Sequence, residues 1–543
     1  MGGRTTIARR PQDAEGTHTM PDHVVTLDDS TDPPAIRLPE LFNIAVHFID
    51  RHPAEGREAK VAIRTVAEEV TYGELAERVN RCGNVLKTLD ISAGERVLMV
   101  VKDCPEFFYL FWGAIKAGAV PVPVNTVMRE DDYRYLIEDS GCRAVVYSPE
   151  FASTVEAALE AASHKPAHAL MTEGAGALGD HMATASADLT AARAAPGDDC
   201  FWLYSSGSTG NPKGVVHAHR DMVFTGQSVA AEMLGMVESD SCFSMSKLFH
   251  SYGFGNAFTF PLWVGGTAIL SDRRVTPDMT FEIIEKFRPT LFFGVPTLYA
   301  QQLQAMADAS PDFSSLRLCI SAGEALPGDV FRRWRENTGL TIVDGLGSTE
   351  MLHIFIGNTL ADHRPGTSGR VVPRYEVQLV DEDGKQVKPG EIGTVLVKGG
   401  SNAKYYWNNP EKTAATMLGE WLDTGDMYYQ DEDGYFVNCG RGDDMMKVGG
   451  LWCSPFEIEA RLIEHPKVLE AAVVGRSDEN DLIKPEAFVV LNDAGDAGEE
   501  MVAALTGHCR DGLDHYKYPR WFNFVEELPK TVTGKIQRFR LRQ

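Results

Sequence analysis

Tyr204-Ser205-Ser206-Gly207-Ser208-Thr209-Gly210-Asn211-Pro212-Lys213-Gly214 packs hydroxyls, three glycines and a lysine into eleven residues. Glycine lets the backbone curl until several N–H groups point one way, and its missing Cβ lets an anion come close. The hydroxyls add rotatable donors, and Lys213 adds a mobile positive charge. Such a loop handles polyphosphate. It is not the Walker loop, in which glycine directly precedes the lysine, because Pro212 stands there. Nor does it suit a flexible linker, since the apolar runs Phe201–Tyr204 and Val215–Val216 flank it.

Outward from this loop the chain follows a strand–helix–strand grammar. Arg96–Val101 predicts a buried strand, Phe107–Ala117 a helix with an apolar face, and Ala119–Val124 the next strand. The pattern recurs at Cys142–Tyr147, Phe151–Ala162, Ala268–Leu270, Phe281–Phe287 and Leu291–Gly294, which predicts an α/β fold with largely parallel sheets. After residue 370 short β-like runs alternate with turns, predicting a smaller antiparallel, barrel-like β element. Past Gly440 a compact α+β segment follows, with a helix over Pro455–Ile463 and strands at Leu469–Val474 and Glu486–Leu491. Residues 1–36 lack periodicity and are expected to form a disordered tail. The expected division is a large domain over 37–440 and a small mobile domain over 441–543, meeting near Arg441-Gly442-Asp443-Asp444.

With 543 residues the chain is too long for one core. A net charge of −25 argues against a nucleic-acid partner or stable membrane association, both of which reward basic faces. Nine scattered cysteines show no CxxC or Cys/His spacing, so a cytoplasmic chain with reduced thiols, no zinc site and no disulfide framework is expected. No apolar run reaches the roughly 18 residues that span a bilayer.

Three further clusters turn phosphate binding into a reaction. In Asp344-Gly345-Leu346-Gly347-Ser348-Thr349-Glu350 a carboxylate follows a glycine turn and a hydroxyl. A carboxylate beside a phosphate needs a hard cation between them, which makes Glu350 a candidate Mg²⁺ ligand. Asp426, in Thr424-Gly425-Asp426, sits on a tight turn where it can accept both hydrogen bonds of a ribose diol. Lys530 and Lys535 lie in Pro529-Lys530-Thr531-Val532-Thr533-Gly534-Lys535, almost at the C-terminus, where a lysine can be lowered into a site from another domain.

Together with Lys247-Leu248-Phe249-His250, Ser321-Ala322-Gly323-Glu324 and Gly440-Arg441-Gly442-Asp443-Asp444, these motifs resemble, in order, those of the adenylate-forming superfamily of acyl-CoA synthetases. The resemblance covers the chain from about Leu38. It implies a two-step reaction: a carboxylate attacks the α-phosphate of ATP, releasing pyrophosphate, and after the small domain rotates a thiol such as that of coenzyme A displaces AMP. It also implies roles. Ser205, Ser206, Gly207, Ser208, Thr209 and Gly210 would cradle phosphates, with Lys213 at the pyrophosphate end. Thr349 would meet the α-phosphate, Glu350 the metal, and Asp426 with Arg441 the ribose. Gly323, Glu324 and Asp344 would wall the adenine. Lys535 would bridge the substrate carboxylate and the α-phosphate, Asp443 would be the hinge, and Gly450 would line the pantetheine tunnel. His250 matches the gate between acyl and phosphate sites. Leu346 departs from the family pattern, which has an aromatic there to stack on adenine; leucine can pack on that ring with less face-specific attraction.

Several segments look most like benzoate-CoA ligases, among them Lys247–Asn256, Gly294–Ala300 and Gly347–Phe355. By that similarity Ser251, Tyr252, Gly345, His353 and Ile354 line the acyl pocket, which would be short and flat and suited to a single ring. His250-Ser251 stands where benzoate enzymes tend to carry Phe-Ala, so a hydroxy- or amino-substituted benzoate is the expected alternative to benzoate. The rival expectations are an adenylating enzyme that loads an aryl acid onto a carrier protein, and a nucleotide-binding protein without chemistry. A homodimer is the expected assembly.

Overall fold

The computed structural model describes residues 22–205, 211–448, 451–479, 482–530 and 536–542. Two sheets dominate the larger, N-terminal part. In the first, four strands lie in the order Val120–Pro123, Arg96–Val100, Ala144–Tyr147, His168–Met171, every pair parallel. Val120–Pro123 contains two prolines, which lack the donor an interior strand needs, and it lies at the sheet edge. In the second, nine strands are ordered, and the six from Val61–Arg64 to Ile342–Gly347 run parallel. Ile354–Gly357 and Arg370–Val371 add antiparallel pairs at one edge, and Glu69–Thr71 does so at the other. The expected α/β architecture with largely parallel sheets is therefore present.

The helix read from Phe107 begins at Pro105, which suits a first turn because its missing N–H would have no partner there. It ends at Gly118, whose φ of +94° closes the helix in the left-handed region. Only an apolar face was expected; instead every residue of Pro105–Ala117 except Glu106 is buried. A helix apolar all round is a core helix, and Phe107, Phe108, Phe111 and Trp112 here meet Phe258 from the opposite layer. Its one buried cation, Lys116, is held by Asp50 at 2.6 Å and Asn80 at 2.6 Å.

Beyond residue 370 the chain makes a curled, antiparallel five-stranded sheet from Glu376–Val380, Gly393–Lys398, Met417–Leu418, Trp421–Gln430 and Phe436–Arg441. The last hundred residues form an α+β unit with its own core. Helices Pro455–Ile463 and Glu499–Arg510 cover the strands Val468–Ser477, Ile483–Leu491 and Trp521–Phe524. Part of the expected tail, residues 1–36, lies outside the described residues. Within the rest, Thr26–Asp28 and Ala35–Arg37 instead pair as an antiparallel hairpin, and Val25 is buried.

Candidate active site

Three strands carry the expected phosphate end. Asp199–Ser205 and Lys213–Ala218 pair antiparallel with Ser205 opposite Lys213, and Tyr405–Tyr406 covers the second strand's other edge. Tyr204 donates to Asp139 Oδ2 at 2.7 Å and Tyr135 donates to the Pro212 carbonyl at 3.0 Å, so both stems of the loop are fastened to the helix Glu130–Ser140. Ser206, Gly207, Ser208, Thr209 and Gly210 lie outside the described residues.

Facing these stems is Glu350. Its Oε1 accepts from the Tyr406 hydroxyl at 2.8 Å, with Ser205 Oγ at 3.4 Å. Lys213 Nζ stands 5.3 Å from the centroid of the Tyr406 ring. Burial lowers the Lys213 ammonium pKa while Glu350 opposes that shift. Ser205, Lys213 and Glu350 are thus brought together as expected from the motifs, and Tyr406 joins them unannounced. Among the described residues no group of three or more His, Cys, Asp or Glu side chains is placed to hold a metal ion.

Glu350 sits in the connection of an unusual hairpin. The strands Ile342–Gly347 and Ile354–Gly357 pair antiparallel, Gly345 opposite Gly357, with a bulge between Leu346 and Gly347. In the connection Leu352 is buried yet has a φ of +65°. That conformation costs an L-residue about 1–2 kcal/mol and persists only where its surroundings over-determine it. Here they do: the Thr349 carbonyl accepts from His217 Nε2 at 2.8 Å, the Glu350 carbonyl from the Ala403 N–H at 2.8 Å, and the Met351 carbonyl from Ser401 Oγ at 2.9 Å.

The expected acid end lies along the same hairpin. Tyr252 donates to the Gly294 carbonyl at 3.2 Å, and its ring lies 5.6 Å from that of His353. Buried His353 points Nε2 at Asn256 Oδ1 (3.1 Å) and the Tyr252 carbonyl (3.3 Å). Both are acceptors, so Nε2 carries the proton and Nδ1 is a lone pair; Nδ1 has no partner. Burial pulls the ring's pKa down to about 3, keeping it neutral. Gly345 has no room for a side chain, since a Cβ would stand 2.8 Å from Ile354 Cγ2. Tyr252, Gly345, His353 and Ile354 are gathered here. Ser251 opens the helical turn Ser251–Phe254, and His250, its N-cap, packs on Phe249 at 4.4 Å.

At the nucleotide's expected sugar end Asp426 lies opposite Arg441 in paired strands, 3.1 Å from its Nη1, which also donates to the Thr424 carbonyl at 2.8 Å. Asp426 raises the guanidinium's pKa further. Asp344 is buried, its carboxyl held well above the ordinary range by burial, and its Oδ1 has no hydrogen-bond partner. Gly323 turns at φ +91° with open space where a Cβ would be, and Glu324 accepts from Thr297 Oγ1 at 3.0 Å. Asp443 is exposed in the turn after Phe436–Arg441, and the next residue, Asp444, pairs with Arg538 and Arg542. Lys535 and Gly450 lie outside the described residues.

Motif reading missed Tyr406 and the buried pair His217 and Asp221. Tyr406 meets Glu350 across 56 residues of sequence, and only the Tyr-Tyr-Trp run preceding Asn-Asn-Pro marked the place.

The AMP-binding enzyme family model matches residues 50–407, and the AMP-binding enzyme C-terminal domain matches 457–535. The benzoate–CoA ligase of Thauera aromatica is 49% identical over 95% of this chain and 98% of its own length. A 4-hydroxybenzoate–CoA/benzoate–CoA ligase of Rhodopseudomonas palustris is 43% identical over 92% of this chain and 94% of its own. Among solved structures, an anthranilate CoA ligase in complex with anthranoyl-AMP superposes with a TM-score of 0.89 at 41% identity, covering 93% of this chain and 97% of that one. A benzoate CoA ligase from Burkholderia xenovorans LB400 gives 0.85 at 43% identity, covering 93% and 100%. This chain is a member of the AMP-binding enzyme family.

Proposed function

We propose that this chain is an ATP-dependent aryl acid–CoA ligase. It activates benzoate, or a hydroxy- or amino-substituted benzoate, as the acyl-adenylate and passes the acyl group to coenzyme A, releasing pyrophosphate and AMP. One observation carries this: a single hairpin holds Gly345 and Ile354 on its arms, and His353, Thr349 and Glu350 in its connection. A ring resting on the arms presents its carboxylate toward the phosphates at the tip, the near-attack arrangement that adenylation needs.

The chain's own groups divide the work. Lys213 and the loop Ser205, Ser206, Gly207, Ser208, Thr209, Gly210 hold the β- and γ-phosphates. Thr349 orients the α-phosphate, and Lys535 neutralises charge where the carboxylate oxygen bonds to phosphorus and pyrophosphate departs. Asp426 and Arg441 hold the ribose. Gly323, Glu324 and Asp344 border the adenine. Glu350, a hard oxygen donor facing the phosphate stems, fits Mg²⁺ and would hold it there, and the ion would supply positive charge to the transferring group. After rotation about Asp443 of the domain 441–543 against 37–440, CoA sulfur bonds to the acyl carbon along the tunnel by Gly450, and AMP leaves. His250 separates the two compartments. An acidic chain with unpaired thiols suits the cytoplasm, without nucleic-acid or membrane partners and as a homodimer. No helix among the described residues is long and apolar enough to cross a membrane.

The unsatisfied lone pair on His353 Nδ1 favours a ring substituent able to donate a hydrogen bond, since a buried polar atom left unpaired costs about 1–3 kcal/mol, and the half-buried Ser251 hydroxyl can offer another. A panel of benzoate, the three hydroxybenzoates and 2-aminobenzoate with ATP and CoA, scored for pyrophosphate, AMP and thioester, tests the assignment. Thioester from at least one of these acids is the expected result. AMP without thioester to free CoA would shift the reading to carrier-protein loading. Benzoate preferred at least tenfold, with Ser251→Ala neutral, would remove the substituted acids.

A further inference from the structure

His217 is a buried titratable side chain that none of the steps above uses. It lies on the strand Lys213–Ala218, and both it and Asp221 are completely buried. Its Nε2 faces the Thr349 carbonyl at 2.8 Å, an acceptor only, so Nε2 carries a proton. Its Nδ1 lies 2.9 Å from Asp221 Oδ2, an oxygen that also accepts the Ala218 N–H at 3.0 Å. One proton therefore sits between Nδ1 and Oδ2. Arg220 Nε is 3.7 Å from the other carboxylate oxygen, which has no hydrogen-bond partner.

Taking such a pair out of water is expensive, and an apolar replacement is often no less stable. Its placement explains its presence better than stability does. The Thr349 carbonyl is the N-terminal fixed point of the strained connection, followed by Glu350 and the left-handed Leu352. The other outside anchors, Ala403 N–H and Ser401 Oγ, fasten the two carbonyls after it. On its other side the His217 ring stacks on Phe201 (5.2 Å, 15°), which stacks on Phe254 (5.0 Å, 20°) at the end of the turn beginning with Ser251. His217 thus touches the phosphate-side peptide directly and the acid-side helix through one ring.

We propose that His217, oriented by Asp221, is a positioning residue for adenylation: it fixes the Thr349–Glu350 peptide in the one orientation that presents both side chains to the phosphates of ATP. It has no part in the thioester step. The assignment rests on the acyl-adenylation reading above, and the two fail in distinguishable ways.

The experiment measures both half-reactions on the full-length protein with the best acid of the panel. Adenylation is followed by ATP–pyrophosphate exchange, and acyl transfer by thioester formation from supplied acyl-adenylate and CoA. His217→Leu is expected to lower exchange kcat about thirtyfold, the scale of one charge-assisted hydrogen bond, and to leave KM for the acid and the transfer rate within about threefold. His217→Gln, whose amide N–H can reach the same carbonyl, is expected to recover at least fivefold of that loss. Asp221→Asn should slow exchange alone yet add little to His217→Leu, because the two act as a unit. Should the leucine variant not fold, His217→Asn, with an amide too short to reach Thr349, carries the same comparison. Equal loss in both half-reactions, in step with a fall in Tm, would mean a structural pair and overturn the proposal, as would unchanged exchange. A wild-type protein that exchanges no pyrophosphate with any acid would instead overturn the functional reading, and this role with it.

Discussion

The Tyr406 hydroxyl lies 2.8 Å from Glu350 Oε1, while Lys213 Nζ stands over the same phenol ring, so one tyrosine touches both the acidic and the basic member of the proposed phosphate site. Burial and the neighbouring Glu350 raise its pKa, so it donates rather than accepts. Tyr406→Phe releases the carboxylate from its short partner and leaves Ser205 Oγ at 3.4 Å. The expected result is about a tenfold drop in kcat/KM for ATP, the worth of one hydrogen bond to a charged group, with KM for the acid unchanged. A steady-state titration of each substrate checks it, and an unaltered ATP dependence would count against Glu350 as the nucleotide-side carboxylate.

Lys535 and Asp443, in their proposed roles, should separate the two half-reactions. Lys535→Ala should slow adenylation by about 10²–10³, the loss of one transition-state donor, and spare thioester formation from supplied acyl-adenylate. Asp443→Pro should do the reverse, since proline fixes φ at the expected hinge. Single-turnover assays of each step decide; equal damage to both in either variant contradicts its assigned part.

Buried histidines set an acid limit on stability. His219 accepts the Ile44 N–H on Nδ1 at 3.2 Å, and burial pulls its pKa from 6.5 to about 4; that of His353 falls to about 3. Burial also lowers those of His47 and His52. Unfolded histidine takes up its proton near 6.5, so between 6.5 and about 4 the unfolded chain binds more protons. Their contribution is whole above that window and is lost as pH falls through it, by about 1.4 kcal/mol per pH unit for each histidine. Denaturant midpoints at pH 7.5, 6 and 5 should fall steadily, and His219→Gln should flatten the slope. A level profile from 7 to 5 would refute it.

The thiols should be silent in the native protein. All nine cysteines are buried and unpaired, and burial raises every one of their pKa values, which withholds the reactive thiolate. An aromatic disulfide reagent at pH 7.5 should titrate fewer than one thiol during the time in which it titrates all nine in guanidinium. Rapid labelling of two or more native thiols would show that these cores open readily.

Legibility followed punctuation. Leu291–Gly294 and Pro455–Ile463 have the bounds read from sequence, because glycine and proline mark their ends. The helix Pro105–Ala117 starts two residues before the expected Phe107, because proline suits a first turn. Gly345, His353 and Ile354 were reachable through motif order, and so was Glu350. Tyr406 and His217 were not: neither lies in one of the motifs, and the meaning of each comes from a partner set by register and tertiary packing. Strand order is equally silent in the sequence, because each parallel crossover can return on either side of its neighbour. Ser401 and Ala403 clamp the Glu350 connection with a hydroxyl and a backbone N–H, which no motif announces.

The strand Lys213–Ala218 borrows its outer neighbour from far down the chain, for Lys404 pairs with Asp199 across 205 residues and Tyr405–Tyr406 completes the sheet. On the ribosome, then, the phosphate motif emerges long before its edge can be covered. Arrested chains that end before Lys404 should be cut by protease near residues 213–218, and chains whose released part includes Trp407 should resist; equal protection in both would exclude this order of events. Until Tyr405 and Tyr406 arrive the nascent chain displays an open β edge, the surface that invites mispairing and chaperone capture. A nucleotide site assembled this way matures late in synthesis, so the growing polypeptide stays catalytically mute until most of its length has been made.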